Sequence, residues 1–158
     1  LRVHPALAWP ARACALLAGL LLTALAALTC VSVVGRATGL WVLVGDFELT
    51  ALAAGASIAL FMPWCQLQRG HLFVDFFTAR AGSRLRHRLD QAGTLVLAAV
   101  LGLLAWRSGL GAWAAWQSRT GTMILDFPEW IAHAAIAPPL GLAAVIAGVQ
   151  GLQREARG

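Results

Sequence analysis

The chain has no lysine and few charges of any kind. Only 12% of its 158 residues are Asp, Glu, Lys or Arg, against roughly 25% in an ordinary soluble domain. That shortage, with a hydrophobic content of 59% and a mean hydropathy of +0.74, excludes a soluble globular domain. Cysteine is scarce as well. Cys14, Cys30 and Cys65 stand apart, with no C-x-x-C pair and no metal-ligand spacing. A paired-thiol oxidase and a thiolate metal site are therefore excluded, and the expected role is that of small buried hydrophobes. Among the histidines only His133 falls clearly inside an apolar run, whereas His4, His71 and His87 lie in tails or loops; a bis-histidine haem needs two facing intramembrane histidines. Internal repeats and low-complexity linkers are missing. The longest pieces between apolar runs, 69–90 and about 107–129, are too short to bury a soluble core. No catalytic, substrate-binding or metal-binding residue is expected, and no cofactor.

Four stretches free of Asp, Glu, Lys and Arg occupy 13–35, 49–68, 91–106 and 130–153. A helix of roughly 20 apolar residues, rising 1.5 Å each, crosses a ~30 Å hydrocarbon core. The third stretch is shorter but continues as RSGLGAWAAW to Trp116, interrupted only by Arg107. An arginine at mid-membrane costs about 2.5–3.5 kcal/mol on insertion scales, a cost that snorkelling from near a helix end reduces. The pattern predicts an all-α integral membrane protein, one domain over 1–158, with four transmembrane helices at approximately 13–35, 47–67, 89–112 and 129–152. A short amphipathic cytoplasmic segment separates helices 2 and 3, and an interfacial segment precedes helix 4. The first span is longer than the apolar core of a secretory signal and lacks an A-x-A site, and ALTC at 27–30 departs from a lipoprotein site at Thr29. It is read as a retained helix.

The formal charge of +5 comes from arginine alone. Nine of the twelve arginines lie in the N-terminal tail (Arg2, Arg12), the middle loop (Arg69, Arg80, Arg84, Arg86, Arg88) and the C-terminal tail (Arg154, Arg157). The other two loops hold Arg36, Arg107 and Arg119. The positive-inside rule places both termini and the middle loop in the cytoplasm, and the arginines, among them Arg80, Arg84 and Arg88, meet lipid headgroups rather than nucleic acid. Trp9, Trp41, Trp64, Trp106, Trp113, Trp116 and Trp130 all fall at or just beyond the expected span ends, where an aromatic belt belongs. Trp106, Trp113 and Trp116 share one side of a helix, and two readings stay open for them: a belt against lipid, or a surface packed on a partner.

Local signals refine the helices. Asp46 is placed to cap helix 2, with Glu48 in its first turn favoured by the helix dipole; the alternative for Glu48 is pairing with Arg36, Arg107, Arg119 or another subunit. Pro63 is expected to kink or end helix 2. Ser83 is placed to cap a helix that runs through RLRHRLD into helix 3 and reaches Gln117, with an overhang or a bend at Gly109 or Gly111. In RTGTMILDFPEW, Asp126 or Phe127 closes an extended segment and Pro128 enters the first turn of helix 4. Pro138–Pro139 must then disturb the hydrogen-bond ladder. In QRGHLFVDFF, residues 68–77, His71 and Asp75 would share a helix face, but two ligands without a third make no metal site. They are read as a hydrogen-bonded pair that fixes how the loop re-enters the membrane surface, with Phe73, Phe76 and Phe77 dipping into the interface.

Four spans, GDFELTALAA opening helix 2, RGHLFVDFF just after it and LDFPEWIAHAAIAPPLG entering helix 4 together resemble the small membrane subunit of TRAP transporters, the DctQ type. The matching positions are Gly70, His71, Val74 and Asp75, next to Arg69, then Pro128, Trp130, Pro139, Leu140 and Gly141; Glu48 matches an acidic position near the start of helix 2. Glu129 and the doubled proline depart from the pattern. The resemblance covers nearly the whole chain. It implies a bacterial inner-membrane protein with a structural or subunit-interface role for the motif residues, and two protein partners: a large permease subunit and a periplasmic substrate-binding protein; the lipid-interface reading of Trp64, Trp106, Trp113 and Trp116 rests on the aromatic belt. It further implies ion-gradient-driven, usually sodium-driven, uptake of an organic acid, with this chain as scaffold and not as enzyme. The competing readings are a haem- or quinone-linked membrane anchor and a free-standing small transporter.

Overall fold

The computed structural model describes residues 5–39, 45–68 and 83–155, with the backbone alone at 5–6, 83–88, 90 and 153–155. Four helices account for nearly all of it: α1 (Pro5–Thr38), α2 (Asp46–Leu67), α3 (Ser83–Ser118) and α4 (Glu129–Glu155). Each is long and apolar enough to cross a membrane. With no water in the hydrocarbon core to satisfy backbone groups, intrahelical bonding is the local solution for such runs.

The helices pack in the order α1–α2–α4–α3, with α2 and α4 central and α1 and α3 on the flanks. Small residues mark the tightest points of the seams. On α1 the buried positions Ala11, Ala18, Ser32 and Gly35, with half-buried Cys14, Leu21, Leu25 and Leu28 between them, recur in alternating steps of three and four. That is the spacing of a helix–helix seam, and small side chains let backbones approach where no hydrophobic force drives association. At the centre Ala59, Leu101, Leu140 and Ala143 form the buried cluster, flanked by Met62, Leu97 and Ile136.

The register between α3 and α4 sets the depth of every residue on them. Going along α3, Leu95 lies against Gly151, Gly102 against Ala144, Ala105 against Gly141 and Gly111 against His133, and Trp116 meets Trp130. Gln66 near the end of α2 bonds Gln150. The last turns of α2 and α4 and the Leu95 region of α3 are therefore level at one end of the molecule, here the tail end. The starts of α2 and α4 and the finish of α3 are level at the other, the loop end.

Three expectations change. The excess length of α3 lies at its start, where 83–94 runs past the tail end, and not beyond Gly109 or Gly111. Arg107, twelve residues from Leu95 and eleven from Ser118, sits midway between the two levels, some 16–18 Å from each at 1.5 Å per residue, so it has no nearby helix end from which to snorkel. Pro63 does not end α2, which continues to Leu67 around a fully buried proline ring; only the Ala59 carbonyl loses its amide partner. Likewise α4 runs unbroken through Pro138–Pro139, and α1 extends back to Pro5 with Pro10 inside it.

Candidate functional site

The side-chain hydrogen bonds that join one element to another among the described residues lie at the two ends. At the loop end, α2 begins from Gly45, whose φ of 88° lies in the left-handed region. The Leu125 side chain lies so close to Gly45 that a Cβ there would be 2.6 Å from its Cγ. Gly45 takes the N-cap position, and Asp46, expected as the cap, is the first helical residue. Its carboxylate turns to α1 instead. Ser32 Oγ donates to Asp46 Oδ2 at 2.6 Å, and Arg36 Nη2 donates to the same oxygen at 2.7 Å and to Ser32 Oγ at 3.2 Å. This triad ties the last turns of α1 to the first turn of α2.

Two residues on, in the same first turn, Glu48 reaches the α3–α4 loop. The main-chain amides of Ile124 and Leu125 donate to its two carboxylate oxygens at 3.0 and 3.2 Å. None of the three candidate arginines is its partner; Arg36 serves Asp46. A carboxylate held by two N–H groups gains charge-assisted hydrogen bonds with no cation. The loop itself is doubled back and not extended. Gly121 and Pro128 form an antiparallel bridge, Thr122 N–H donates to the Phe127 carbonyl at 3.0 Å, Asp126 N–H to the Thr122 carbonyl at 3.1 Å and Glu129 N–H to the Thr120 carbonyl at 3.2 Å. The Phe127 amide donates to Thr122 Oγ1 at 3.1 Å. Arg119 and Asp126, at the two shoulders, both have φ of 49°, and a Cβ at Gly121 would collide with Asp126 Oδ1. The turn thus stores backbone strain that its dense bonding supports.

Below the loop lies an open pocket of about 440 Å³ lined by Trp116, Arg119, Thr120, Gly121, Asp126, Pro128 and Trp130. The two tryptophans meet edge to face, 4.9 Å between centroids at 80°, as their quadrupoles favour. Met123 and Ile124 at the loop tip are exposed. At the tail end, Gln66 Nε2 donates to Gln150 Oε1, and Gln150 Nε2 to the Gln66 carbonyl, both at 3.1 Å. The Arg12 guanidinium lies 5.6 Å from the Trp64 ring centroid, a cation–π distance.

These contacts can hold helices and a loop in place; among the described residues no three His, Cys, Asp or Glu side chains are grouped to hold a metal. Of the residues singled out in sequence, Glu48, Pro128 and Trp130 all lie at the loop end, Glu48 bonded to the loop tip and the other two lining the pocket. Pro139 is buried in α4, and Gly141 faces Ala105, where an added Cβ would make ordinary contact at 3.9 Å. Trp106, Trp113 and Trp116 are all exposed, but ten residues of helix put Trp106 about 15 Å from Trp116, so the three do not share one interfacial level. Arg69, Gly70, His71, Val74, Asp75 and Arg80 lie outside the described residues, and Arg84 and Arg88 fall on the start of α3, where only the backbone is described. The sequence reading missed the Ser32–Arg36–Asp46 triad and the glutamine pair. The available signal was a Ser and an Arg one turn apart before a short loop to an Asp, and two glutamines at the ends of otherwise apolar helices.

The family model described as tripartite ATP-independent periplasmic transporters, DctQ component, matches residues 25–157. No curated protein and no solved structure matches the chain. The match takes in the last fourteen residues of α1 and the whole of α2, α3, the α3–α4 loop and α4. This chain belongs to the DctQ family, the small permease component of TRAP transporters.

Proposed function

We propose that this chain is a scaffold clamped against the large permease subunit of its transporter, widening the fixed part of the complex while the large subunit carries an organic acid inward down an ion gradient. A periplasmic binding protein delivers the acid and docks in part on the loop end. The observation that carries this reading is the family match over 25–157. A physical one supports it: in the hydrophobic windows of α1 and α3 only 6% is buried within the chain, so both flanks of the row offer apolar surface to lipid or to another subunit. The arginine distribution supports an orientation with both termini and the middle loop on the cytoplasmic side of a bacterial inner membrane. The chain is read as one membrane domain without catalysis of its own. Transporter substrate sites form where discontinuous helices meet at mid-membrane, and that chemistry is assigned to the large subunit.

His71 and Asp75 are assigned to the cytoplasmic interface, supporting assembly. Tagged chain purified gently from native membranes should bring a larger polytopic permease in near-equal amount. His71→Ala and Asp75→Ala should lower that recovery, and transport with it, while leaving substrate preference unchanged. Recovery with a haem-bearing or quinone-linked enzyme, or uptake by this chain reconstituted alone, would overturn the scaffold reading.

A further inference from the structure

Arg107 is an arginine in the wrong place for a protein that stands alone. It lies midway along the membrane-crossing part of α3, exposed on the surface of the bundle, and its neighbours on that face, Leu103 and Leu110, are exposed too, as are Trp106 beside it and Trp113 nearly two turns further on. Among the described residues no carboxylate reaches it; the one ion pair there is Arg36–Asp46. Lipid phosphates lie about 15 Å away, half the thickness of the ~30 Å hydrocarbon core, and an arginine side chain spans less than half that distance. A guanidinium with five donors, which stays charged in proteins, needs an anion or an array of acceptors at its own depth. Intramembrane charges pair with one another or with backbone carbonyls, facing protein and not lipid.

Among the described residues, a second copy of this chain offers no such partner. All seven acidic residues, at 46, 48, 75, 90, 126, 129 and 155, lie outside the charge-free runs. Those with a described depth stand at the loop end (46, 48, 126 and 129) or beyond the Leu95–Gly151 level at the tail end (90 and 155). None of these comes near the middle of the membrane. We propose that the outward face of α3 centred on Arg107 is the docking face for a different membrane protein, which presents an Asp or Glu at the bilayer midplane. This rests on the reading of the chain as one subunit of a permease complex, and within that reading it names the helix, the depth and the chemistry of the contact. Val100, Leu103, Trp106, Leu110 and Trp113 form the apolar surround that keeps water and lipid from the pair.

The test uses the full chain in its native membranes. A photo-crosslinking amino acid is placed at Leu103 or Leu110, with Leu20 on the exposed flank of α1 as the control position. Adducts to the co-purifying permease from both α3 positions and not from Leu20 are the expected result. Recovery of the permease without adducts from Leu103 and Leu110 overturns the docking face while leaving the scaffold reading intact. Failure of any permease to co-purify with the unmodified chain overturns both. Arg107→Leu and Arg107→Lys add a readout that a purely structural role would not give. Leucine removes a mid-membrane charge, so the isolated chain should unfold at higher temperature, yet recovery of the complex should fall because the partner's carboxylate is stranded. Lysine should retain part of the recovery. Unchanged recovery with Arg107→Leu would sink the charge pair.

Discussion

Gln66 and Gln150 clasp each other across the tail end, and the clasp is unequal. Gln150 accepts from Gln66 Nε2 and donates to the Gln66 main-chain carbonyl, both at 3.1 Å, so both ends of its amide are engaged. Gln66 uses only its nitrogen, and its Oε1 is buried without a partner. Both side chains are buried. In this setting a stranded polar atom matters more than a bond gained.

The two glutamines should therefore respond differently to the same change. Gln150→Met leaves the Gln66 Nε2 and main-chain carbonyl without these partners, in addition to the oxygen already orphaned. Gln66→Met removes that oxygen and strands only Gln150 Oε1. A loss of about 1–2 kcal/mol is expected for Gln150→Met and clearly less for Gln66→Met. Thermal unfolding of the two variants in the same detergent checks the ranking, and equal losses would refute it.

Gly45 shows where glycine is required. Its φ of 88° costs an L-residue roughly 1–2 kcal/mol, and Leu125 fills the space a Cβ would need. Gly45→Ala should destabilise the loop end by at least that amount. Adding Leu125→Ala should relieve the overlap but not the backbone cost, so the double variant should recover part of the stability and never all of it. A thermal-shift cycle over the four proteins measures the split.

Much of the fold was legible in sequence because a membrane span announces itself by length and by the absence of charge, independently of what it packs against. The runs at 13–35, 49–68 and 130–153 locate α1, α2 and α4, and the passage of α3 through Arg107 was readable from the apolar residues on both sides. The packing order α1–α2–α4–α3 was not. Helices that are apolar all round carry no amphipathic stripe to orient them, and the seam on α1 is written only in the recurrence of small residues such as Ala11, Ala18 and Gly35. Depth was misread for the same reason. The level of Arg107 follows from contacts such as Leu95 with Gly151, which no local pattern encodes. At the loop end, Asp46 has the chemistry of a cap, but Leu125, far away in sequence, settles Gly45 into that position. Glu48 was expected to match the helix dipole or to pair with an arginine or another subunit; amides 76 and 77 residues downstream hold it.

Trp116 and Trp130 join α3 to α4 at the mouth of the pocket. Trp130→Leu keeps an apolar side chain and loses the edge-to-face contact, which is worth about 0.5–1.5 kcal/mol beyond area burial. The expected change is a small loss in melting temperature accompanied by a change in Trp116 fluorescence, read by difference against a Trp116→Phe variant. No spectral change at Trp116 would mean that the ring contact is not kept in the membrane.

Asp46 and Glu48, two residues apart on α2, should be separable by salt. Asp46 faces a guanidinium, and Arg36 is half exposed at 52%, so that pairing weakens as ionic strength screens it. Glu48 is held by main-chain amides, whose hydrogen bonds have no exposed counter-charge to screen. Amide exchange at Ile124 and Leu125 should therefore stay slow from low to high salt in the unmodified chain and rise sharply in Glu48→Ala. Glu48→Gln, which keeps one acceptor, should protect one of the two amides in part. Asp46→Asn should leave exchange at both amides unchanged while loosening α1 from α2, seen as faster exchange in the last turn of α1. If Asp46→Asn also released the loop amides, the two carboxylates would form one network and not two independent ties, and the role assigned to Glu48 as the loop's own clasp would fall.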